Sequence, residues 1–135
     1  MPDAFQLRIV TPNRMLLDER VREVTAPGSE GEFGVLPDHI NFLTALEIGT
    51  MSYRANGQAH RLAVRGGFAE VLNNVMTILA DDAAFPQDID TARAREDLQT
   101  AEHRLAGLSP MDEAYPSADD ARRWARARLE VTAAG

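Results

Sequence analysis

The chain has 135 residues, 44% of them apolar, and a formal net charge of −7. That length suits one packed domain with a small appendage. The absence of cysteine excludes disulfides and thiolate metal sites, and the acidity argues against sequence-independent nucleic-acid binding.

No apolar run approaches the ~20 residues of a membrane span. The opening MPDAFQLRIV has acid where a signal peptide carries base. The expectation is a soluble, intracellular protein that works at a membrane, if at all, through a partner. Residues 1–80 hold nine acids and seven arginines; residues 81–135 hold twelve acids and seven arginines, so the second part is the more acidic.

The first 80 residues read as strands. FQLRIV alternates, with Phe5, Leu7 and Ile9 on one face. TPN at Thr11–Asn13 is a turn, and VREVTA at Val21–Ala26 reads as one strand. Asn56-Gly57 and Asn73-Asn74 each lie between alternating runs and tolerate the positive φ of a two-residue hairpin turn. Around the second turn, Phe68, Glu70 and Leu72 face one way and Ala69, Val71 and Asn73 the other. Many short strands joined by turns predict an antiparallel β-sandwich over residues 1–85.

Past DDAAFPQD the period changes. Leu98, Ala101, Leu105 and Leu108 form a helical stripe, with Asp88 or Asp90 as N-cap after Pro86. Gly107, Pro110 and Pro116 break the pattern. A second helix is expected from about Ser117, with Ala118, Ala121, Ala125 and Leu129 on one face. Residues 86–135 therefore predict an antiparallel two-helix hairpin, weakly held because alanine buries little area.

Chemical motifs are scarce. His39, His60 and His103 fall in different regions, none with a second histidine at metal spacing. Asp38 and His39, if in a strand, face opposite ways and form no catalytic couple. PGSEG is not a nucleophile elbow, and RGGF lacks the lysine and following helix of a phosphate loop. Glu30 and Glu32 would share one strand face, which is more often a solvated face than an acid–base or Ca²⁺ site. No catalytic residue and no metal site is expected.

The order of features is more specific. VTPNRMLLDERVREVTAPGSEGEFGVLPDHINFLTALEIG, AVRGGFAEVLNNVMTILAD and DIDTARA together resemble the epsilon subunit family of the rotary ATP synthase, across essentially the whole chain. The resemblance implies a non-catalytic subunit of the central stalk. Its sandwich would pack on the gamma subunit and the c-subunit ring, turn with the ring, and so couple proton flow to ATP synthesis. It would sit at the cytoplasmic face of the bacterial plasma membrane without entering the bilayer. The hairpin would fold on the sandwich or extend along gamma towards the alpha and beta subunits, where it inhibits ATP hydrolysis.

Residue roles follow from the same resemblance. GSEGEFGVLPDH would be a loop docking on the c ring, with Glu32 and His39 exposed at one end of the sandwich, far from the helices. Gly31 and Gly34 would allow tight turns there; a solvated turn with no partner is the alternative. Ile89, Asp90, Arg93 and Ala94 match a motif with which some bacterial members bind ATP, and Arg128 matches a further arginine. Ala84, Thr100 and Trp124 stand where such members carry a glutamate and two arginines, so a regulatory ATP is disfavoured and no cofactor is expected. Asp90 would instead cap its helix and pair with Arg93. Arg122, Arg123, Arg126 and Arg128 would make the inhibitory contact with acidic surfaces of the catalytic subunits; helix-dipole stabilisation is their alternative role. Rival readings are a stand-alone protein-binding sandwich with a helical tail, and a metal-dependent enzyme using His39 and His60.

Overall fold

A computed structural model of the chain describes residues 3–133. Strands β1 (Phe5–Val10) and β2 (Met15–Val21) join β5 (Phe42–Ala45), β8 (Phe68–Leu72) and β9 (Val75–Leu79) in one sheet, ordered β2-β1-β9-β8-β5. Strands β3 (Glu23–Gly28), β4 (Gly31–Val35), β6 (Ile48–Ala55), β7 (Gln58–Arg65) and β10 (Asp82–Ala84) form the second, ordered β10-β7-β6-β3-β4. Alternation supplies the core between them. Phe5, Leu7 and Ile9 meet Met76 and Ile78 on the first sheet and Met51, Leu62 and Val64 on the second, all buried.

The two asparagine turns form as expected. Asn56 and Gly57 have φ of 54° and 76°, Asn73 and Asn74 of 50° and 63°. Positive φ at both central residues twists the turn to match the strands.

Two features depart from the sequence reading. VREVTA is not one strand: the chain leaves the first sheet at Val21, bends at Arg22 and enters the second at Glu23. Val21 and Val24 would face opposite ways on a continuous strand, yet both are buried, because the chain changes sheet between them. Nor is the sandwich wholly antiparallel. β1 runs parallel to β9, with Leu7 opposite Met76 and Ile9 opposite Ile78. A parallel pair needs a long connection, here everything from β2 to β8, and local periodicity carries no trace of it.

After β10, a short 3-10 turn at Pro86–Asp88 leads to α1 (Thr91–Ala106) and then α2 (Tyr115–Ala133). Asp90 caps α1, accepting from the backbone N–H of Arg93 at 3.1 Å, and Gly107 ends it. α2 starts earlier than Ser117. Pro116 lies in its first turn, where a proline costs no hydrogen bond.

α2 also buries more than one stripe. Ala118 and Ala125 face the seam where Ala94 and Ala101 of α1 are buried at the same spacing. Trp124, Ala127 and Val131 pack on a second side against Ala63, on the outer face of β7. This second stripe is interleaved with arginines, which hides it in the sequence. The hairpin is thus folded on the second sheet, with α2 between α1 and the strands. Among the described residues the sandwich core has eighteen buried members and the helix–sheet cluster four, so the layer is held by much less apolar burial than the sandwich is.

Candidate docking surfaces

Gly31 has a φ of 117° and follows the Ser29–Glu30 turn, so Glu30 lies in a turn and only Glu32 on a strand. Glu32 is exposed, opposite Pro27 in register. Gly34 is exposed in β4 opposite Thr25, with no positive φ, and a Cβ there would meet nothing closer than Val24 O at 3.9 Å. It makes no turn, and the fold does not demand glycine there.

His39 is half-buried rather than exposed. Its ring tilts on Phe42 at 5.1 Å, and its Nδ1 lies 2.8 Å from the Ile40 carbonyl. Asp38 is in a turn at φ 63° and bonds to Asn74, through Asp38 N–H to Asn74 Oδ1 and Asn74 Nδ2 to Asp38 Oδ1.

GSEGEFGVLPDH is therefore not one loop but a turn, strand β4 and a second turn. Ser29 bonds to Ala45 beside the start of β8, whereas Asp38 bonds to the turn that ends it, so Glu32 and His39 belong to opposite ends of the sandwich. Nor are the helices remote from Glu32. The Glu47 N–H donates to Pro27 O at 2.8 Å, and the Glu47 carboxylate pairs with Arg123 of α2 at 3.5 Å.

An apolar surface lies on the outer face of the first sheet. Leu43, Phe68, Leu72 and Leu79 are all large, apolar and exposed, Phe68 by 53%. Phe68 is directly opposite Leu79, and Leu43 opposite Glu70. Ile40, 77% exposed, and Leu36 are further exposed apolar residues in the loop before β5. The signal was in the sequence: FAEVL puts apolar residues on both faces of β8, one more face than the core needs.

The motif residues of the hairpin come together around a different acid. Arg93 does not pair with Asp90. Its Nε donates to Asp97 Oδ1 at 3.1 Å, while Arg128 Nη2 donates to Asp97 Oδ2 at 3.1 Å. Burial alone would push the Asp97 carboxyl up, but hydrogen bonds from Arg128 and Arg93, with both positive charges, outweigh it and hold the carboxyl below its ordinary value. Arg93 is raised, chiefly by the Asp97 hydrogen bond. Ala94 is buried and Ile89 packs beside the helix–sheet cluster. Thr100 and Trp124 line a cleft of about 210 Å³ with Arg65, Arg104 and Arg128, and the Arg128 guanidinium lies 5.4 Å from the Trp124 ring.

The remaining arginines divide. Arg122 pairs with Asp119 at 2.6 Å and Arg123 with Glu47; Arg126 is exposed and has no ion pair among the described residues. His60 stacks on Tyr53 and His103 is exposed on α1. Among the described residues no three His, Asp or Glu side chains converge as a metal site would require, and no helix is long and apolar enough to cross a membrane.

Family comparison fits this architecture. Residues 4–86 match the family described as ATP synthase, Delta/Epsilon chain, beta-sandwich domain, and residues 87–133 match its long alpha-helix domain. The chain belongs to the ATP synthase delta/epsilon family. It is 48% identical to the ATP synthase epsilon chain of Nitratidesulfovibrio vulgaris strain DP4 over 134 residues, covering 98% of this chain and 100% of the relative. It is 40% identical to the epsilon chain of Citrifermentans bemidjiense, covering 97% and 95%. Among solved structures it is similar to a chain of the Euglena gracilis mitochondrial ATP synthase, in an assembly with OSCP, F1 and the c-ring. There the TM-score is 0.81 at 25% identity, covering 96% of this chain and 81% of that one. Its sandwich coincides with the first matched domain and its two helices with the second.

Proposed function

We propose that this epsilon chain is a non-catalytic rotor subunit whose sandwich joins gamma and the c ring and whose hairpin regulates ATP hydrolysis. The observation that carries the reading is the apolar outer face of the first sheet. It lies across the sandwich from the hairpin, and covering four half-exposed large side chains contributes roughly 1 kcal/mol each. That suits a permanent partner, and in the family's assembly gamma is the partner of matching role. Glu32, beside the Ser29–Glu30 turn, is the acid placed to meet the polar loops of a c ring; rim charges of this kind set register more than affinity. His39, at the opposite end of the sandwich with its imidazole on the core-facing Phe42, is not placed to share a c-ring contact with Glu32. As a rotor component of a bacterial synthase the chain would work at the cytoplasmic face of the plasma membrane.

The hairpin needs no nucleotide to stay folded in this reading. Asp97 already supplies a carboxylate to Arg93 and Arg128, the two arginines a phosphate would seek. In the alternative state α2 leaves the sheet, extends along gamma, and turns its arginines to the catalytic subunits.

Co-purification with gamma tests the first claim. Phe68→Asp with Leu79→Asp should leave the sandwich folded, since both side chains are exposed, yet abolish capture of gamma. Capture undiminished by both substitutions defeats the assignment of this face. Glu32→Lys should keep gamma but lower proton-driven synthesis in the assembled enzyme. Calorimetry with MgATP should show no saturable binding at sub-millimolar nucleotide.

A further inference from the structure

Strands β5, β8 and β9 run FLTA, FAEVL and VMTIL, and Glu70 is the only charged residue in the three. It stands exposed on the outer face, between Phe68 and Leu72 along β8, while Ala69 and Val71 turn into the core. Register sets Leu43 of β5 directly opposite on one side and Thr77 of β9 on the other. The acid therefore sits inside the apolar half of the sheet rather than at its rim.

The other half of the same face handles charge differently. Asp18 of β2 accepts from Gln6 and from Arg8 Nε, the latter at 3.4 Å, so these neighbours satisfy one another in place. Arg8 shares a row with Glu70, but Thr77 stands between them, opposite Arg8 on one side and Glu70 on the other. Two strand spacings, roughly 9–10 Å, separate the two backbones. Glu70 forms no ion pair among the described residues. In water that costs nothing, because hydration stabilises the carboxylate. Under a protein surface it costs a great deal, because an ion stripped of water and left without a partner opposes association strongly. Any surface that covers both Phe68 and Leu72 strips the acid between them.

We propose that Glu70 determines which surface this face accepts. The cover must bring a guanidinium or an ammonium to the carboxylate, set among apolar side chains that meet Leu43, Phe68 and Leu72. This rests on the assignment of the face to gamma, and it gives the gamma surface a stated chemistry: one basic side chain within an apolar patch. A wholly apolar surface is rejected because it leaves the carboxylate unpaired. A second copy of the chain is rejected as well, because two such faces related by a two-fold axis through their centre set Glu70 against Glu70. The same acid thus keeps an exposed apolar face from pairing with itself before gamma covers it.

The test uses full-length variants, with affinity measured to the enzyme stripped of its own epsilon chain and self-association measured by sedimentation. Glu70→Gln keeps the shape and loses the charge. Its affinity should fall about thirtyfold or more, as truncating one partner of a buried charge pair implies, while urea unfolding stays unchanged. Glu70→Arg sets cation against cation and should bind more weakly still. Glu70→Leu should self-associate at concentrations where the parent is monomeric, and adding Phe68→Asp with Leu79→Asp should abolish that association. Undiminished affinity of Glu70→Gln, a matching loss of its stability in urea, or Glu70→Arg binding as well as Glu70→Gln overturns the selecting role. A monomeric Glu70→Leu chain, or association that survives the two added substitutions, overturns the exclusion of a second copy. These failures leave the gamma assignment standing wherever Phe68→Asp with Leu79→Asp alone abolishes capture. Undiminished capture of that double variant defeats the assignment itself, and the role of Glu70 with it.

Discussion

Asp97→Asn is the sharpest perturbation of the hairpin. Asparagine keeps the shape but removes the charge, and it replaces one of two acceptor oxygens with an NH₂ group that faces a guanidinium. The pair with Arg128 matters more than that with Arg93, because the Arg128 side chain is 16% exposed and the Arg93 side chain 69%. A hydrogen bond to a charged group contributes about 1.5–3 kcal/mol when dry, and an exposed pair only about 0.2–1. Asp97 is itself one-third exposed, so about 1 kcal/mol is a fair figure for the Arg128 link. That is roughly a fivefold shift towards the undocked hairpin. Amide exchange should therefore quicken about fivefold in α1 and α2 while the core strands β1 and β9 stay unchanged. Unaltered helix exchange, or equal quickening throughout the sandwich, refutes the reasoning.

The pH dependence has a definite sign. The folded Asp97 carboxyl lies below its ordinary value, so its contribution is complete above the unfolded value of about 3.9 and is lost as pH falls through the lower folded one. The Asp97 contribution to docking is thus flat from neutrality to about pH 5 and fades below about pH 4. Trp124 is the only tryptophan and sits on α2, 8% exposed, so its emission reports docking directly. The acid change in Trp124 emission should shrink in Asp97→Asn.

Three further outcomes follow from packing. At Gly67, φ is 97° and a Cβ would stand 1.9 Å from Leu79 O, so Gly67→Ala should cost at least about 3 kcal/mol in urea unfolding. At Gly57, φ is 76° with no atom within 4 Å of a Cβ, so Gly57→Ala should cost only about 1 kcal/mol. Ala127→Glu would press a carboxylate onto the sheet beside Ala63; it should shift Trp124 emission to the red yet leave sandwich unfolding within about 0.5 kcal/mol of the parent. A sandwich destabilised in step with the emission change would show the two layers to be one cooperative unit.

Local chemistry made much of the fold legible. Asn56-Gly57, Asn73-Asn74, the Phe5–Leu7–Ile9 alternation and the Asp90 cap each carry their own structural reason within a few residues. What stayed hidden depends on distant partners. The parallel β1–β9 pairing joins segments some seventy residues apart. The bend at Arg22 looks like strand until both valines prove buried. Asp97 reads as an ordinary helix acid until α2 brings Arg128 to it, whereas the capping role of Asp90 is set by its own neighbours. In the docking surface, the glycines and acids of GSEGEFGVLPDH stand out by composition, while FAEVL and Leu79 read as plain strand until the sheet order shows an uncovered face. Edge and face roles emerge only when the sheet order is known.

The four arginines of α2 cannot be tested as one group. Docked, Arg128 ties α2 to α1 through Asp97, Arg123 ties it to the sandwich through Glu47, and Arg122 is occupied by Asp119 on its own helix. Removing all four would weaken docking, which favours the extended inhibitory state, and would also remove the charges that state is proposed to use. The effects oppose each other and could cancel. Single changes separate them. Arg126 holds no ion pair among the described residues, so Arg126→Ala should raise ATPase activity of the assembled enzyme with Trp124 emission unchanged. Glu47→Ala leaves every arginine in place and deletes only the sandwich side of one link. An exposed pair of this kind is worth about 0.5–1 kcal/mol, so the hairpin should undock two- to fivefold more often, and ATPase activity should fall. High salt should blunt the Arg126 effect by screening the intermolecular contact. If Glu47→Ala and Arg126→Ala move ATPase activity in the same direction, α2 is not shared between a docked and an inhibitory state, and its arginines serve only to hold the folded hairpin.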